Sequence, residues 1–162
     1  MLFYFAYGSN LSTARLRARI AQVRPVVRAL LPGHRLCFHK AGRDGSAKCD
    51  AAHTGARGDR VFGVVFEIAR SDLQVLDRIE GSGYVRRSVS LLTTGGLPLQ
   101  AVTYLATGID PGLLPYDWYR QHVLIGAREH CLPQAWLDRL GRIPCIPDPD
   151  PSRRERELAI YP

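Results

Sequence analysis

Glu80 is the residue whose placement in this sequence is hardest to account for by solvation. A helical pattern running from Ser71 puts Leu73, Leu76 and Glu80 on one face by i, i+3, i+7 spacing, so a carboxylate lies on the apolar side. At the C-terminal end of that helix the anion is disfavoured by desolvation and by the negative end of the helix dipole. Both raise its pKa toward the range where a carboxyl takes up and returns protons near neutrality. A purely structural role is also open, an ion pair with Arg86 or Arg87 that holds the turn at Gly81–Gly83. No second carboxylate stands at glycosidase-like spacing, and no Ser-His-Asp or Cys-His order presents a nucleophile. A lone carboxyl base suits a reaction that needs only proton shuttling.

The second candidate is the stretch Tyr4-Phe5-Ala6-Tyr7-Gly8-Ser9-Asn10-Leu11, a short apolar strand running into a small-residue turn ahead of a helix-like segment, Leu11 to Ile20. Backbone N–H groups left free at such a helix start bind an oxyanion or a carboxylate. Gly8 lets a ligand approach the main chain closely. Ser9 and Asn10 read equally as plain caps of the helix that follows, and the sequence leaves both readings open.

The elements that must position these residues follow from pattern. Leu2 to Tyr7 reads as the first strand, and Val23 to Leu31 with His34 to His39 as a hairpin turned by Pro32-Gly33. Cys49 to His53 reads as a short strand, and the nearly continuous apolar run Val61 to Ile68 as a central one. Ser71 opens the helix that ends at Glu80, with Gln74 completing a capping box and Gly81 as its stop. Tyr84 to Leu92 and Leu99 to Ala106 form a hairpin about Gly95-Gly96, and helices follow at Tyr116 to Glu129 and after Pro133. Strands paired in hairpins with helices between them predict an α+β fold, a small mixed, mainly antiparallel barrel with flanking helices. Residues 1–143 make one domain, and the Pro- and charge-rich segment 144–162 is expected to be mobile or draped over the body.

A chain of 162 residues can bury a full core without disulfides. Cys37, Cys49, Cys131 and Cys145 form no C-x-x-C pair and no zinc-ligand spacing with any of the five histidines, so they read as buried, reduced thiols of a cytoplasmic protein, with no metal site. No secretion signal and no apolar stretch long enough to cross a membrane are present. The net charge of +7 is nearly all arginine and is scattered rather than packed into a basic run, which argues against a nucleic-acid partner. Lys48 follows a glycine-containing loop, but the spacing fails the phosphate-loop pattern, so no nucleotide cofactor is expected.

Taken in order, Tyr7-Gly8-Ser9-Asn10-Leu11, Phe62-Gly63-Val64-Val65-Phe66, Leu76-Asp77-Arg78-Ile79-Glu80-Gly81 with Tyr84, and Tyr119 with Gly126-Ala127-Arg128-Glu129-His130-Cys131-Leu132-Pro133 resemble the gamma-glutamylcyclotransferase family. The resemblance runs from Leu2 to about Pro133. It implies a cofactor-free reaction in which the α-amine of an L-γ-glutamyl group attacks its own γ-amide carbonyl, giving 5-oxoproline and a free amine or amino acid. Glu80 matches the family's acid–base glutamate. Tyr7, Gly8, Ser9 and Asn10 match the loop that grips the γ-glutamyl end, and Tyr84 and Tyr119 match aromatic residues bordering the cavity. The motifs resemble the branch acting on γ-glutamyl amino acids more than the glutathione-specific or γ-glutamylamine branches. The alternative is the same fold used as a non-catalytic binding module for a γ-glutamyl-like metabolite or partner. The sequence does not set the leaving group or the oligomeric state.

Overall fold

The computed structural model describes residues 1–162. Seven strands are present, β1 (Leu2–Ala6), β2 (Val23–Pro32), β3 (His34–Ala41), β4 (Ala47–His53), β5 (Arg60–Ile68), β6 (Tyr84–Thr93) and β7 (Pro98–Ala106). Five of them close into a barrel in the order β1-β5-β2-β6-β7. The helices are α1 (Thr13–Arg17), α2 (Asp72–Glu80), α3 (Asp117–Glu129), α4 (Gln134–Gly141) and α5 (Pro151–Leu158), with a 3₁₀ turn at Ser9–Leu11. The predicted mixed, mainly antiparallel barrel with flanking helices is therefore the observed architecture.

The apolar run of β5 explains its position, hydrogen-bonded to β1 on one side and β2 on the other. Val61, Val64, Val65, Phe66 and Ile68 are fully buried, as a strand covered on both faces requires. The seam of the barrel is its weakest pairing, a parallel contact of β1 with β7 at Tyr4 and Val102. Two side chains reinforce it: Thr103 Oγ1 donates to the Phe5 carbonyl at 2.8 Å, and Tyr7 Oη donates to the Tyr104 carbonyl at 2.6 Å.

The expected hairpin of Val23–Leu31 with His34–His39 does not form. Both edges of β2 are taken, by β5 and β6, and Gly33 at φ +69° turns the chain out of the barrel with its N–H on the Asp59 carbonyl. The following strand pairs with β4 as a separate two-stranded ribbon. The capping box at Ser71 and Gln74 is also absent, because Ser71 already has helical dihedrals and its side chain makes no capping bond. Gly81 does stop α2, at φ +72° with its N–H on the Asp77 carbonyl. The four cysteines are free, but only Cys49 is buried and Cys131 is exposed.

The helix expected over Leu11–Ile20 is shorter, and its cap is neither Ser9 nor Asn10 but Ser12, whose Oγ accepts from the Arg15 N–H. The segment 144–162 lies against the body. Asp150 caps α5 with Pro151 in its first turn, Asp148 accepts from Trp118 Nε1 at 2.7 Å, and Tyr161 Oη donates to Ser12 Oγ at 2.9 Å. Glu157 pairs with Arg15 and faces His122, and these two groups outweigh the effect of burial and hold its carboxyl down at about 2.

Helix α3 is pressed onto the turn that follows β1. A Cβ at Gly126 would stand 2.3 Å from the Leu11 carbonyl carbon and the Ser12 nitrogen. Backbone cannot yield there as a side chain would. Gly126→Ala should therefore lower stability by about 1–3 kcal/mol despite its better helix propensity. The check is the denaturation midpoint, and an unchanged or raised value would show that the contact is not needed.

Candidate active site

Two elements distant in sequence meet at one end of the barrel. Leaving β1, the chain makes a tight turn closed by the Leu11 N–H on the Gly8 carbonyl and the Ser12 N–H on the Ser9 carbonyl. The N–H groups of Gly8, Ser9 and Asn10 have no partner in the protein. Opposite stands Glu80, the last residue of α2. Asn10 Nδ2 donates to Glu80 Oε1 at 3.1 Å and to Tyr4 Oη at 2.9 Å, while Asn10 Oδ1 accepts from Arg19 at 2.9 Å. The Arg19 guanidinium itself lies 3.5 Å from Glu80 Oε1. Both contacts to Glu80 fall on Oε1, and Oε2 accepts no hydrogen bond within the protein.

The Glu80 carboxyl is pushed above its ordinary value by burial, against the opposing pull of Arg19, the Asn10 hydrogen bond, Arg15 and Lys40. The expected alternative, a pair with Arg86 or Arg87, is not what the fold builds. Arg86 instead donates to Asp77 Oδ2 at 2.6 Å, and Arg87 is in no ion pair. Asp77, one turn before Glu80 on α2, takes Arg86, while the Glu80 carboxyl is taken by Asn10 and Arg19.

All seven residues singled out in the sequence, Tyr7, Gly8, Ser9, Asn10, Glu80, Tyr84 and Tyr119, border one narrow cleft. Their hydroxyls have different duties. Tyr7 spends its proton on the Tyr104 carbonyl. Tyr84 donates to the Cys49 carbonyl, whereas Tyr119 accepts from the Cys49 N–H at 2.9 Å. Burial pushes the Tyr84 and Tyr119 phenols far above their ordinary range, so both stay neutral. Gly8 is needed for space, since a Cβ there would stand 3.0 Å from Cys49 Cβ and 3.4 Å from Tyr119 Oη.

Tyr4, Cys49, Thr103 and Tyr104 also border the cleft and were not singled out by the sequence reading. Nor was Arg19. Arg15 and Arg19 stand at i, i+4, which would have placed both on one face of a helix and was the available signal. Past Glu80 the cleft opens into an outer chamber of about 230 Å³. No three His, Cys, Asp or Glu side chains converge as a metal-binding group. No helix is long and apolar enough to cross a membrane.

The model of the AIG2-like family matches residues 60–140. Human gamma-glutamylcyclotransferase is 33% identical over 149 residues, covering 86% of this chain and 77% of the human protein. The chain belongs to the gamma-glutamylcyclotransferase family. The mouse enzyme of the same name is 32% identical over the same share of both chains. A solved structure titled gamma-glutamyl cyclotransferase superposes with a TM-score of 0.83 at 29% identity, over 90% of this chain and 89% of that one. Within this gamma-glutamylcyclotransferase fold, Glu80 and Asn10 lie 70 residues apart in sequence and meet only because β1 and α2 end on the same side of the barrel.

Burial and the nearby cations act on Glu80 in opposite directions, and their balance is measurable. Glu80 should titrate above an ordinary glutamate, followed by its side-chain carboxyl resonance in ¹³C-labelled protein. Arg19→Met removes the strongest opposing charge and should move the midpoint higher still. A wild-type midpoint at or below the ordinary value would mean that the cations win over burial.

Proposed function

We propose that the protein is a cofactor-independent gamma-glutamylcyclotransferase that releases 5-oxoproline from L-γ-glutamyl amino acids, peptides or amines. The reading is carried by one observation. A carboxylate with a raised pKa, held through a single oxygen by Asn10 and Arg19, faces a turn whose three consecutive N–H groups have no partner.

In this mechanism the substrate's γ-glutamyl end lies against the main chain at Gly8, with its α-ammonium toward Glu80 Oε2. Glu80 takes a proton from the ammonium, and the freed amine attacks the γ-carbonyl carbon to close a five-membered ring. The oxyanion of the tetrahedral adduct is met by the free N–H groups of the Gly8–Asn10 turn, which need no reorganisation to receive it. The ring nitrogen gives up a second proton as the carbon–nitrogen bond to the leaving amine breaks. Two protons thus leave the nucleophile and two reach the departing nitrogen, so 5-oxoproline and an ammonium form with no net proton change. Glu80 shuttles them. Attack within one molecule converts orientation into rate, worth about 7–11 kcal/mol in well-ordered cases, which explains how one carboxyl and a turn are enough.

Tyr7, Tyr84 and Tyr119 form the walls in this reading. The Tyr119 hydroxyl borders the cleft, where it can donate to a carbonyl or carboxylate oxygen of the substrate. Arg19 and Asn10 act through Glu80: they keep enough of it ionised to serve as a base, while burial keeps its pKa high enough to return the proton.

Glu80→Gln should cut 5-oxoproline formation by about a hundredfold or more in the chemical step. Its effect on stability separates a base from a structural ion pair. A carboxyl whose folded-state pKa is raised favours folding below its unfolded pKa and loses that contribution as pH rises through the folded value. At pH 7 the ionised Glu80 therefore gives no net stabilisation, and Glu80→Gln should melt at or above the wild-type temperature. The measurements are product release and melting midpoint on the same samples, without nucleotide and with a chelator present. Wild-type turnover by the variant refutes the assignment, as does loss of turnover that only tracks a lowered melting point. A chelator that abolishes wild-type turnover without unfolding the protein would end the cofactor-free reading.

A further inference from the structure

The outer chamber beyond Glu80 is lined by more cations than the fold itself satisfies. Three find carboxylates: Lys48 with Asp44 at 2.8 Å, Arg15 with Glu157, and Arg19 with Glu80 at 3.5 Å. Lys40 and Arg43 find none. Lys40 is the telling case, since the residue is only 6% exposed and its ammonium has neither an ion pair nor a hydrogen bond within the protein. Its ammonium lies over the face of Tyr84, 4.7 Å from the ring centroid, and it feels Glu80 and Asp44 only at longer range.

The backbone leaves room for both cations beside the base. Directly after Glu80, a Cβ at Gly81 would stand 2.3 Å from an Arg43 guanidinium nitrogen, and one at Gly83 would stand 2.5 Å from Lys40 Cε and 2.9 Å from Nζ. The two glycines leave the room in which Lys40 and Arg43 lie beside the base. Arg15 adds a second unsatisfied donor, as its buried Nε has no partner. A desolvated cation without a counter-charge opposes folding. An anion entering the chamber would offset that and make charge-assisted bonds there.

We propose that the outer chamber is an anion subsite for the leaving group, and that the protein prefers γ-glutamyl conjugates whose departing amine is an acidic, dicarboxylic amino acid. One carboxylate meets Lys40 and the other meets Arg43. The inference rests on the cyclotransferase reading, since it assigns the chamber to the part of the substrate beyond the scissile amide. The γ-glutamyl end is held elsewhere, at the main chain of the Gly8 turn. The chamber shares Ser9, Glu80, Tyr84 and Tyr119 with the inner cleft, so a substrate cleaved at Glu80 must project its leaving group into it.

Three substrates separate the possibilities: γ-glutamyl-glutamate, γ-glutamyl-alanine and γ-glutamyl-ethylamine, compared by kcat/KM for 5-oxoproline release. The expected order is that of falling negative charge on the leaving amine, with the first exceeding the last by about tenfold or more, the equivalent of one good ionic contact. The ratio should shrink as salt is raised. Lys40→Met should bring it down about tenfold, and Arg43→Met, at an exposed residue, by less. Lys40→Met should fold about as well as wild type, because it removes a largely buried charge that makes no ion pair while keeping the chain length. Should it fail to fold, the exposed Arg43→Met carries the comparison. Equal kcat/KM for the three substrates, or a ratio unchanged in the variants that fold, overturns the subsite while leaving the cyclotransferase reading intact. If none of the three yields 5-oxoproline, that reading fails, and titration of glutarate into wild type and the folded variants decides the subsite alone. Binding weakened by either variant supports it, and binding that is absent or unaffected overturns it.

Discussion

A carboxylate kept ionisable inside a buried cleft is the constraint around which the rest is arranged. Burial drives Glu80 toward its neutral form, and the structure counters with two groups that reach it from the N-terminal end of the chain. Asn10 arrives because β1 ends in a turn at one end of the barrel, and Arg19 because the short α1 follows at once. The asparagine is doubly committed, donating to Glu80 and Tyr4 while accepting from Arg19, so neither orientation nor distance is free to drift. Around this cluster, α3 presses the turn into place through Gly126, and the tyrosines shield it from bulk water. Displacing the turn would undo both the support of the base and the placement of the turn's unpartnered N–H groups.

What the sequence shows of this arrangement is what local pattern controls. The face of α2 that carries Glu80, the glycine that stops it and the small-residue turn after β1 can all be read within windows of ten residues. Strand partners cannot. Pro32-Gly33 between two apolar runs has the grammar of a hairpin, yet β2 is claimed by β5 and β6, and that choice depends on residues thirty to sixty positions away. Arg19 was hidden by its surroundings, one arginine among many, and its inward turn depends on where a five-residue helix happens to end. In the 144–162 segment the helix-start signal Asp150-Pro151 was present, but proline density and charge outweighed it. The ion pair of Glu80 with Arg86 fails for a smaller reason, because Asp77, one turn earlier on α2, takes Arg86 instead.

The motif around Tyr7 also shows that residues in one run serve different ends. Tyr7 lines the cleft, but its hydroxyl is spent across the barrel seam on Tyr104. Tyr104 in turn donates to Asp77, the carboxylate that holds Arg86. The aromatic wall of the site and the closure of the barrel are therefore one hydrogen-bonded assembly. The site is rigid for the same reason that the barrel is closed.

The long separations along this chain have a consequence in time. Arg15 lies beside the site from the first turn of α1, but its carboxylate, Glu157, comes 142 residues later, and Ser12 waits 149 residues for Tyr161. At ordinary elongation rates about 7 to 30 seconds pass between the synthesis of the two partners. During the first part of that interval the apolar strand β1 lacks β5 on one edge, and for longer it lacks β7 on the other, so the nascent N-terminal segment must be kept from aggregating while its partners are made. Contacts this distant in sequence also slow barrel closure once the chain is released.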